Sequence, residues 1–590
     1  MSGMKSLNQA QDNAPNQARV EVRVGADALA EMDNDHFFAT WKQLYQDCSW
    51  ATAGQNPEFL KIWYRLYASL QTPVLVFQWA HPSSENPNEL RGVLALCRSS
   101  EGLQHAASED CEYHAWIAQK NATPSFMPDA LDALLQTFGP TSLRLNYLPP
   151  DTPLQWLKST SASVLRCELG QTERRVLPVH DPELVKKYLR NKSRLRTTMN
   201  KFKRTGDIQF RRASDPQEAI AAIRAAQPLF DFRKGALYGV FPFRDEPLRS
   251  DLLEAQAQVP DLLHVSVLER NQEVIAAHIG TSGKKELSIA GLVHSEFYSR
   301  YSPGSLLLVE LISSLHEEGY SFLDFTPGDD EYKARFAKDI EPVYTLHVYP
   351  SRLAREATRF REQLKATAKS SLKRLPEPLQ GKLRSIRSEL KERLGARFKG
   401  TSLAGEHNEV GTSNSMFKTT PLRLYRWHYN DGIENQELSI REHDWKKNNI
   451  SDLLRYPGKR EDLLAMVQLA FSLARAGAQM FTQGDADGLH AIYFLVPAPS
   501  FSSSEQLEKE DWILWGLACG SSQCASSLAK SRLELVTLAL ECIEDKSLLL
   551  AAPKTRGQLT SEWENHGIRA SPVFDCECRF NVSRFAAIGM

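Results

Sequence analysis

The sequence predicts a mixed α/β protein built from three folded units. Along most of the chain, short runs of β-branched and aromatic residues alternate with segments in which apolar residues recur at helical spacing. A length of 590 residues, at roughly 100 to 200 residues per domain, gives three or four domains. The composition, 42% hydrophobic and 24% charged, is that of globular proteins and excludes a wholly disordered or collagen-like chain.

The first unit is expected over residues 20–177, after a polar segment over residues 1–19 that is predicted to be a disordered tail. That segment lacks the apolar core of a secretory signal, so export is not expected. Strand character is found in VEVRV, PVLVFQWA, RGVLALC and SLRLNYL, and helical spacing in FFATWKQLYQDC, PEFLKIWYRLYASL and PDALDALLQTFG. These patterns indicate a mixed α/β domain.

The second unit is expected over residues 178–351. It begins with one basic helix, LVKKYLRNKSRLRTTMNKFKRTG, in which nine Lys or Arg and no acid lie between Lys186 and Arg204. The strand IQFRRA and the helices PQEAIAAIRAAQPLFDFRKG and DLLEAQAQ follow, and then the strands LLHVSVLER, EVIAAHIGTS and ELSIAGLVH. A loop, SEFYSRYSPGS, then leads into the helix LLLVELISSLHEEG and the strand YSFLDF.

A basic helical linker is predicted over residues 352–414. Between Arg352 and Lys399 the sequence has fifteen basic and five acidic residues, a net charge of +10, so the rest of the chain carries −11 of the total of −1. Pro376 and Pro378 are expected to divide it into two helices, because proline cannot continue a helix interior. Leucines interspersed with the charge fit an anionic membrane surface, and a plain linker against acidic domains fits equally well.

The third unit is expected over residues 415–590 and repeats the order of the second in outline. Its strands are predicted at LRLYRWH, ELSIREH, HAIYFLVPA, DWILWGLACG, SLLLAAP and VFDCECRFNV. Its helices are predicted at EDLLAMVQLAFSLARAGA, SLAKSRLELVTLALECIED and LTSEWENHG.

Several classes of protein are not expected. The longest apolar stretches fall short of about 18 uninterrupted apolar residues, so no membrane span is predicted. The nine cysteines include no CxxC pair, which disfavours zinc ribbons and thioredoxin chemistry and favours buried reduced thiols in a cytosolic protein. The near-zero net charge and the lack of an aromatic stripe beside the basic segment give no reason to expect nucleic-acid binding.

One loop has the composition of a phosphate-binding site. Backbone N–H groups and the positive end of a helix dipole suit a pyrophosphate where a strand leads into a helix, as in Tyr301, Ser302, Pro303, Gly304 and Ser305. A simple turn in which Ser305 caps the helix is the alternative.

These residues belong to a longer stretch of the chain that resembles a known family. The text EVIAAHIG and GLVHSEFYSRYSPGSLLLVELISSLHEEGYSFLDFTPGDDEYKARF, preceded by NKSRLRTTMNKFKRTGDIQF and FRKGALYG, resembles the CelD/BcsL-type acetyltransferases of the GNAT (acyl-CoA N-acyltransferase) superfamily, related in architecture to Fem peptidyltransferases. QNPEFLKIWYRLY is similar to the family's first half. The resemblance covers about residues 20 to 350, and its motif positions are Ala276, Ala277, Ser302, Pro303, Gly304, Asp324, Gly328, Tyr332 and Lys333.

The resemblance implies tandem GNAT-like folds and a donor, acetyl-CoA or another acyl-CoA, with no metal. It places the donor in the second unit, at Tyr301, Ser302, Pro303, Gly304, Ser305 and Leu306. The groups expected to take part in catalysis are Asp324, His294 and Tyr332. Two of them have structural alternatives: Asp324 as the cap of the next turn, and Tyr332 as a residue that only packs in the core. His294 stands where the family is expected to have Asp, which leaves the general base open. His278 is expected to be structural.

The acceptor is expected to contact basic side chains. Lys333 belongs to the Tyr-Lys pair of the motif, and Arg233 and Lys234 match a basic helix position of the family. Arg194 lies on one face of the basic helix with Lys186 and Arg190, because they are spaced by four residues. Solvated charges are the alternative for all of them.

The third unit resembles the family faintly through Trp563, Gly567 and Ile568, and it lacks a glycine-rich loop. It is therefore expected to be a degenerate GNAT-like domain.

The resemblance implies a cytoplasmic acyltransferase that modifies the amine or hydroxyl of a sugar, free or lipid-linked, in envelope or exopolysaccharide production. Contact with the inner membrane through residues 352–399 is one of the two interpretations of the linker. A Fem-like aminoacyl transferase and a non-catalytic scaffold at the membrane are the alternatives.

Overall fold

A computed structural model describes the greater part of the chain. The described residues are 20–81, 88–100, 102–159, 161, 163–373, 420–427, 445–485, 488–497, 512–518, 548–553 and 570–578. Four groups of predictions lie outside them. They concern the tail over residues 1–19, the linker from residue 374 onward, the third-unit elements ELSIREH, SLAKSRLELVTLALECIED and LTSEWENHG, and the residues Trp563, Gly567 and Ile568.

The first unit has four helices and seven strands in its described residues. They are β1 (Val20–Val24), α1 (Ala26–Met32), α2 (Asp35–Asp47), α3 (Pro57–Tyr67), β2 (Thr72–Trp79), β3 (Leu90–Ser99), β4 (Gly102–His105), β5 (Ile117–Ala118), α4 (Thr123–Phe138), β6 (Leu143–Leu148) and β7 (Cys167–Pro178). Asn34 caps α2 by accepting hydrogen bonds from the N–H groups of His36 and Phe37, and Asn56 caps α3.

The second unit follows with eight helices and seven strands. They are α5 (Pro182–Arg190), α6 (Ser193–Lys203), β8 (Ile208–Arg212), α7 (Pro216–Tyr238), α8 (Pro242–Asp245), α9 (Pro247–Ala257), β9 (Leu263–Arg270), β10 (Glu273–Thr281), β11 (Glu286–Ser288), β12 (Gly291–His294), α10 (Pro303–Ser314), β13 (Phe322–Pro327), α11 (Glu331–Phe336), β14 (Asp339–Val348) and α12 (Arg352–Lys373). The last of these is the described part of the basic linker, and it ends before Pro376.

Two elements of the second unit differ from the sequence prediction. The basic helix expected as one piece is two helices, α5 and α6, because the chain leaves helical geometry at Lys192, which has φ −98° and ψ 30°. The strand expected over ELSIAGLVH is likewise two, β11 and β12, because its halves pair with different neighbours.

The third unit contributes β15 (Thr420–Trp427), β16 (Trp445–Lys447), α13 (Ile450–Leu454), α14 (Arg460–Arg475), β17 (Gln479–Asp485), β18 (Gly488–Pro497), β19 (Trp512–Ala518), β20 (Leu548–Pro553) and β21 (Ala570–Cys578). Its sheet has the order β16-β17-β18-β19-β20-β15-β21.

A parallel strand pair recurs once in each unit. In the first unit β4 and β6 are parallel, in the second β11 and β13, and in the third β19 and β20, whereas the other described pairs are antiparallel. In each case an antiparallel series of strands leads into the parallel pair. The strand pairing confirms the predicted mixed α/β class, and the repeated parallel pair is consistent with the predicted tandem arrangement.

The first two units share one sheet. Its ten strands have the order β1-β2-β3-β4-β6-β14-β7-β13-β11, with β5 paired to β3, and β14 of the second unit lies between β6 and β7. The remaining strands of the second unit form a separate sheet, β12-β10-β9-β8. The expected boundary at residues 177 and 178 therefore falls at the end of β7, which pairs with both β13 and β14.

The third unit packs on the second through a common hydrophobic cluster. Helix α14 lies against α7, and the rings of Phe232 and Phe471 are 5.8 Å apart at their centroids. The Arg460 guanidinium donates to the Asp245 carboxylate at 2.7 Å and to the Gly239 carbonyl at 3.1 Å. Gly239 ends α7 with φ 72°, a conformation that glycine adopts without strain.

None of the described helices is long and apolar enough to cross a lipid bilayer.

Candidate active site

The two sheets of the second unit separate at one point. Strand β11 runs parallel to β13, with Ser288 opposite Asp324, whereas β12 leaves this neighbour and pairs with β10, with His294 opposite Ala276. The last bond on the β13 side joins the Ile289 N–H to the Asp324 carbonyl at 2.8 Å. Beyond it β12 and β13 belong to different sheets.

Helix α10 follows β12 after a short 3₁₀ helix, Glu296–Tyr301. Ser302 precedes it in the left-handed conformation, with φ 52°, and its side chain makes no capping hydrogen bond. Pro303 opens the helix, and Ser305 lies within the first turn rather than at the cap. A Cβ on Gly304 would lie 3.0 Å from Nδ1 of His294, so glycine allows the helix start to approach β12 closely. The exposed Ser302 and the α10 N-terminus can receive an anionic group.

The other predicted donor residues mainly support this turn. The Tyr301 ring stacks on Phe202 of α6, with 4.3 Å between centroids, and Leu306 is buried in the same cluster. The predicted donor residues are therefore of two kinds. Some support the loop, and others can face a ligand.

His294 lies in a charged group at the start of α10. Its Nε2 is 3.6 Å from Oε1 of Glu296, and Arg233 donates a hydrogen bond to the same oxygen. Burial and the nearby Arg233 charge lower the pKa of His294 to about 4, so the imidazole is neutral near pH 7. Glu296, which the sequence did not single out, is thus the residue that joins His294 to Arg233.

Asp324 lies at the centre of a buried polar network. Its Oδ2 accepts hydrogen bonds from the Tyr113 hydroxyl at 2.6 Å and from Arg174 at 2.9 Å, and its Oδ1 accepts the Thr326 N–H at 2.7 Å. Arg174 also donates to Glu341 at 2.7 Å and 2.9 Å. Burial raises the pKa of Asp324, and the Arg174 charge opposes that rise. The carboxylate is fully enclosed, which suits a positioning role.

Tyr113, Arg174 and Glu341 were not predicted as members of a site. They come from the loop between β4 and β5, from β7 and from β14, and Tyr113 is 211 residues from Asp324 in sequence. No local motif marks them, because only the shared sheet brings them together.

Lys333 holds the turn that follows β13. Its ammonium group donates to the carbonyls of Pro327 at 2.9 Å and Thr326 at 3.3 Å, and it lies 3.3 Å from the Asp330 carboxylate. Thr326 has φ 59°, so these bonds stabilise a strained turn. The neighbouring Tyr332 is half-buried beside Phe325.

The predicted basic residues occupy different surroundings. Arg233 is engaged by Glu296, whereas Lys234 is exposed, with its ammonium 5.0 Å from the centroid of the Tyr238 ring. Arg194 is exposed on α6. His278 is fully buried, as expected of a structural histidine, and burial lowers its pKa to about 3.

A cluster of possible metal ligands lies in the first unit. Ligand atoms of His105, Cys111 and His114 all lie within 4.8 Å of one another. Both ring nitrogens of His114 are already engaged, however: Nδ1 accepts the Asn146 N–H at 3.1 Å, and Nε2 lies 3.2 Å from the Cys111 carbonyl. His114 therefore fits a structural role in this loop better than metal ligation.

No curated protein gives a significant sequence match to the chain. The solved structures that resemble it include FemX, with 9% identity over 52% of this chain and 95% of that one and a TM-score of 0.38.

Two further solved structures are similar in the same way. One is the C-terminal DUF2156 domain of a proposed lysylphosphatidylglycerol synthetase from Agrobacterium fabrum, with 13% identity over 52% of this chain and 92% of that one and a TM-score of 0.36. The other is a GCN5-related N-acetyltransferase from Kribbella flavida, with 11% identity over 56% of this chain and 71% of that one and a TM-score of 0.26.

The family comparison is confined to the second unit. Residues 190–334 match the family model described as an acetyltransferase (GNAT) domain. This range runs from the end of α5 to α11 and includes β11, β12, β13 and α10. The segment that carries the strand separation and the helix start is therefore the part of the chain that is similar to a GNAT acetyltransferase domain.

Proposed function

We propose that the chain is an acyl-CoA-dependent acyltransferase, which transfers an acetyl group to the amine or hydroxyl of a sugar or an envelope or exopolysaccharide precursor. The observation that carries the proposal is the separation of β12 from β13 beside the α10 N-terminus, within the segment that matches the acetyltransferase family. The donor pyrophosphate would bind at Ser302 and the first turn of α10. The extended arm of the donor would lie between the two strands.

The reaction requires a nucleophile, a route for its proton and stabilisation of the leaving thiolate. The acceptor nitrogen or oxygen attacks the thioester carbonyl carbon, the C–S bond breaks, and the acceptor proton passes to a base. In the proposal, Asp324 positions Tyr113 and Arg174, neutral His294 contacts the acceptor or takes its proton, and Tyr332 donates towards the thiolate. The exposed Lys234 and Arg194 would favour an acceptor that carries phosphate, whereas Arg233 and Lys333 would act through Glu296 and the turn after β13.

Donor binding is tested by Gly304→Glu. We expect this variant to lose the thermal shift that millimolar acetyl-CoA gives the wild-type protein, because a side chain at residue 304 meets His294 and adds negative charge at the helix start. Gly170→Glu is the matched control, since Gly170 is exposed and a Cβ there meets only the Thr345 carbonyl oxygen, at 3.9 Å. Both variants should keep the wild-type far-UV circular dichroism.

The outcomes separate the candidate functions. A wild-type protein that acetyl-CoA does not stabilise would contradict the proposal. Stabilisation by an aminoacyl-tRNA instead would favour Fem-like transfer, and stabilisation by neither would favour the scaffold. Retained acetyl-CoA binding in Gly304→Glu would overturn the location of the donor.

We further propose a cytoplasmic location with contact to an anionic inner membrane through residues 352–399. What supports it is the orientation of α12. Its Leu353 and Phe360 side chains are 81% and 62% exposed, whereas Arg355 faces the protein and donates to the Cys167 carbonyl at 3.2 Å. An apolar face turned to solvent and flanked by Arg352, Arg359 and Arg361 suits the surface of an anionic bilayer.

Liposome cosedimentation tests this contact. We expect the protein to bind vesicles containing phosphatidylglycerol but not pure phosphatidylcholine, and to dissociate as salt screens the charges. Phe360→Ser should weaken binding, whereas Leu70→Ser, at a residue 68% exposed in the first unit, should not. Absence of binding to either vesicle would leave α12 as a plain linker.

A further inference from the structure

Helix α14 of the third unit holds α7 at two places. At the start of α14, the Arg460 guanidinium donates to the carbonyl of Gly239, the residue that follows α7, at 3.1 Å. The same guanidinium lies 5.1 Å from the centroid of the Phe241 ring. Further along α14, the Phe471 ring meets Phe232 of α7, with 5.8 Å between the centroids. These contacts fix α7 against the third unit.

Helix α7 in turn supports the segment that leads to the donor loop, the 3₁₀ helix Glu296–Tyr301. The Phe232 ring stacks on Phe297 of this 3₁₀ helix, with 6.1 Å between centroids and 19° between the ring planes. The next residue of α7, Arg233, donates a hydrogen bond to the buried Glu296. Helix α14 also lies directly against the 3₁₀ helix. Phe232 is therefore placed between a ring of the third unit and a ring of the 3₁₀ helix.

The 3₁₀ helix passes directly into the start of α10. The Ser302 N–H bonds to the Ser299 carbonyl of the 3₁₀ helix at 2.9 Å. The Ser302 carbonyl accepts the N–H groups of Ser305 at 2.9 Å and of Leu306 at 3.1 Å in α10. Because Ser302 is bonded to both helices, a shift of the 3₁₀ helix would also move the first turn of α10.

The rings that connect these elements lie in one hydrophobic cluster. Phe232 and Phe471 are both buried in it, together with residues of β9, β10, β12 and the third unit, and Phe297 packs against it. Protein interiors are close-packed, so a ring that is displaced or removed forces its neighbours to move. The position of the 3₁₀ helix therefore depends on the packing of α14 as well as on the second unit.

We propose that the third unit positions the acetyl-CoA site. Phe471, acting through Phe232 and Phe297, holds the 3₁₀ helix in place, and the 3₁₀ helix places Ser302 and the first turn of α10 for the donor pyrophosphate. Phe471 is thus a positioning residue, because it acts on the donor only through other side chains. The inference rests on the proposed acyltransferase function. It gives a role to the third unit, which lies outside the segment that matches the family.

The test compares two leucine variants of the full chain. Phe471→Leu removes the ring that meets Phe232 and keeps an apolar side chain, so the far-UV circular dichroism should stay that of the wild type. We expect the dissociation constant for acetyl-CoA, measured by isothermal titration calorimetry, to rise by about 2- to 30-fold. Phe481→Leu is the matched control. Phe481 is buried in β17 and is not among the described residues of the shared cluster, so this variant should bind acetyl-CoA as the wild type does.

Hydrogen–deuterium exchange tests the same contact without a ligand. Because the 3₁₀ helix loses support when the Phe471 ring is removed, the amides of residues 296–306 should exchange faster in Phe471→Leu than in the wild type. Phe481→Leu should leave their exchange unchanged. A general loss of stability would raise the exchange in both variants alike, so the difference between them identifies positioning.

A double variant tests whether the effect passes through the stacked rings. Phe297→Leu should itself weaken acetyl-CoA binding, because Phe297 belongs to the 3₁₀ helix. If both residues act through the same contacts, the double variant with Phe471→Leu should weaken binding by less than the product of the two single effects. Effects that simply multiply would overturn the proposed route through Phe232 and Phe297.

The remaining outcomes are distinct. If Phe471→Leu keeps the wild-type affinity for acetyl-CoA, the inference is overturned and the proposed function stands, whether or not the exchange at residues 296–306 changes. An equal loss of affinity in Phe481→Leu would also overturn it. If the wild-type protein does not bind acetyl-CoA, the proposed function fails, and the inference fails with it.

Discussion

Arg174→Ala is expected to lower the free energy of unfolding by about 3 to 5 kcal/mol, because it removes one partner of a buried ion pair and leaves the other without compensation. The side chain of Asp324 is completely buried and that of Arg174 nearly so, and their closest atoms are 2.9 Å apart. Without the guanidinium, the Asp324 carboxylate would keep only the Tyr113 and Thr326 hydrogen bonds. Urea unfolding followed by tryptophan fluorescence measures the loss.

Arg224→Ala is the matched control for that measurement. Arg224 also pairs with a carboxylate, Glu254, at 2.6 Å, but it is exposed on α7. An exposed ion pair contributes about 0 to 1 kcal/mol, so this variant should unfold almost as the wild type does. A loss for Arg174→Ala no larger than that of the control would show that the network does not hold the first two units together.

Phe471→Ala is expected to lower the free energy of unfolding by about 3 to 5 kcal/mol, as truncation of a buried phenylalanine does when the cavity cannot collapse. Phe471 is 6% exposed and packs on Phe232 in the cluster that α14 of the third unit shares with α7. Arg233 and Lys234 follow Phe232 on the same helix, so the truncation should also loosen the helix that carries them.

Phe360→Ala is the control, because it removes a phenyl ring from an exposed position rather than from the buried contact between α14 and α7. The Phe360 side chain is 62% exposed, and a surface substitution of this kind changes stability by no more than about 0.5 kcal/mol. The readout is again urea unfolding. Should both variants unfold at the same urea concentration, the contact between α14 and α7 would contribute nothing to stability.

Local patterns in the sequence were sufficient for most of the elements. Alternation and helical spacing placed most strands and helices of the first two units, but α10 begins at Pro303 rather than at Leu306, and β7 and β14 were not predicted. These signals are reliable because they depend on residues close together in the chain. The division of ELSIAGLVH into β11 and β12 was not predicted, since each half pairs with a strand that is distant in sequence.

The buried network is the clearest case of information that local sequence does not contain. Asp324 was recognised from its motif, but its bonds to Tyr113, Arg174 and Thr326 were not. An aspartate within a strand has the same local sequence whether it faces solvent or a buried arginine. Its surroundings follow from the pairing of β7 with β13, which joins residues about 150 positions apart.

By itself the sequence determined the mixed α/β class and the order of most elements, because both depend on composition and short-range spacing. The donor loop from Tyr301 to Leu306 stays a prediction. Only the tertiary structure decided that the first two units share one sheet, that the third packs on α7, and that Tyr113 of the first unit bonds to Asp324 of the second. The physical reason is that burial and charge act on side chains through space, and the partners that set them are distant in the chain.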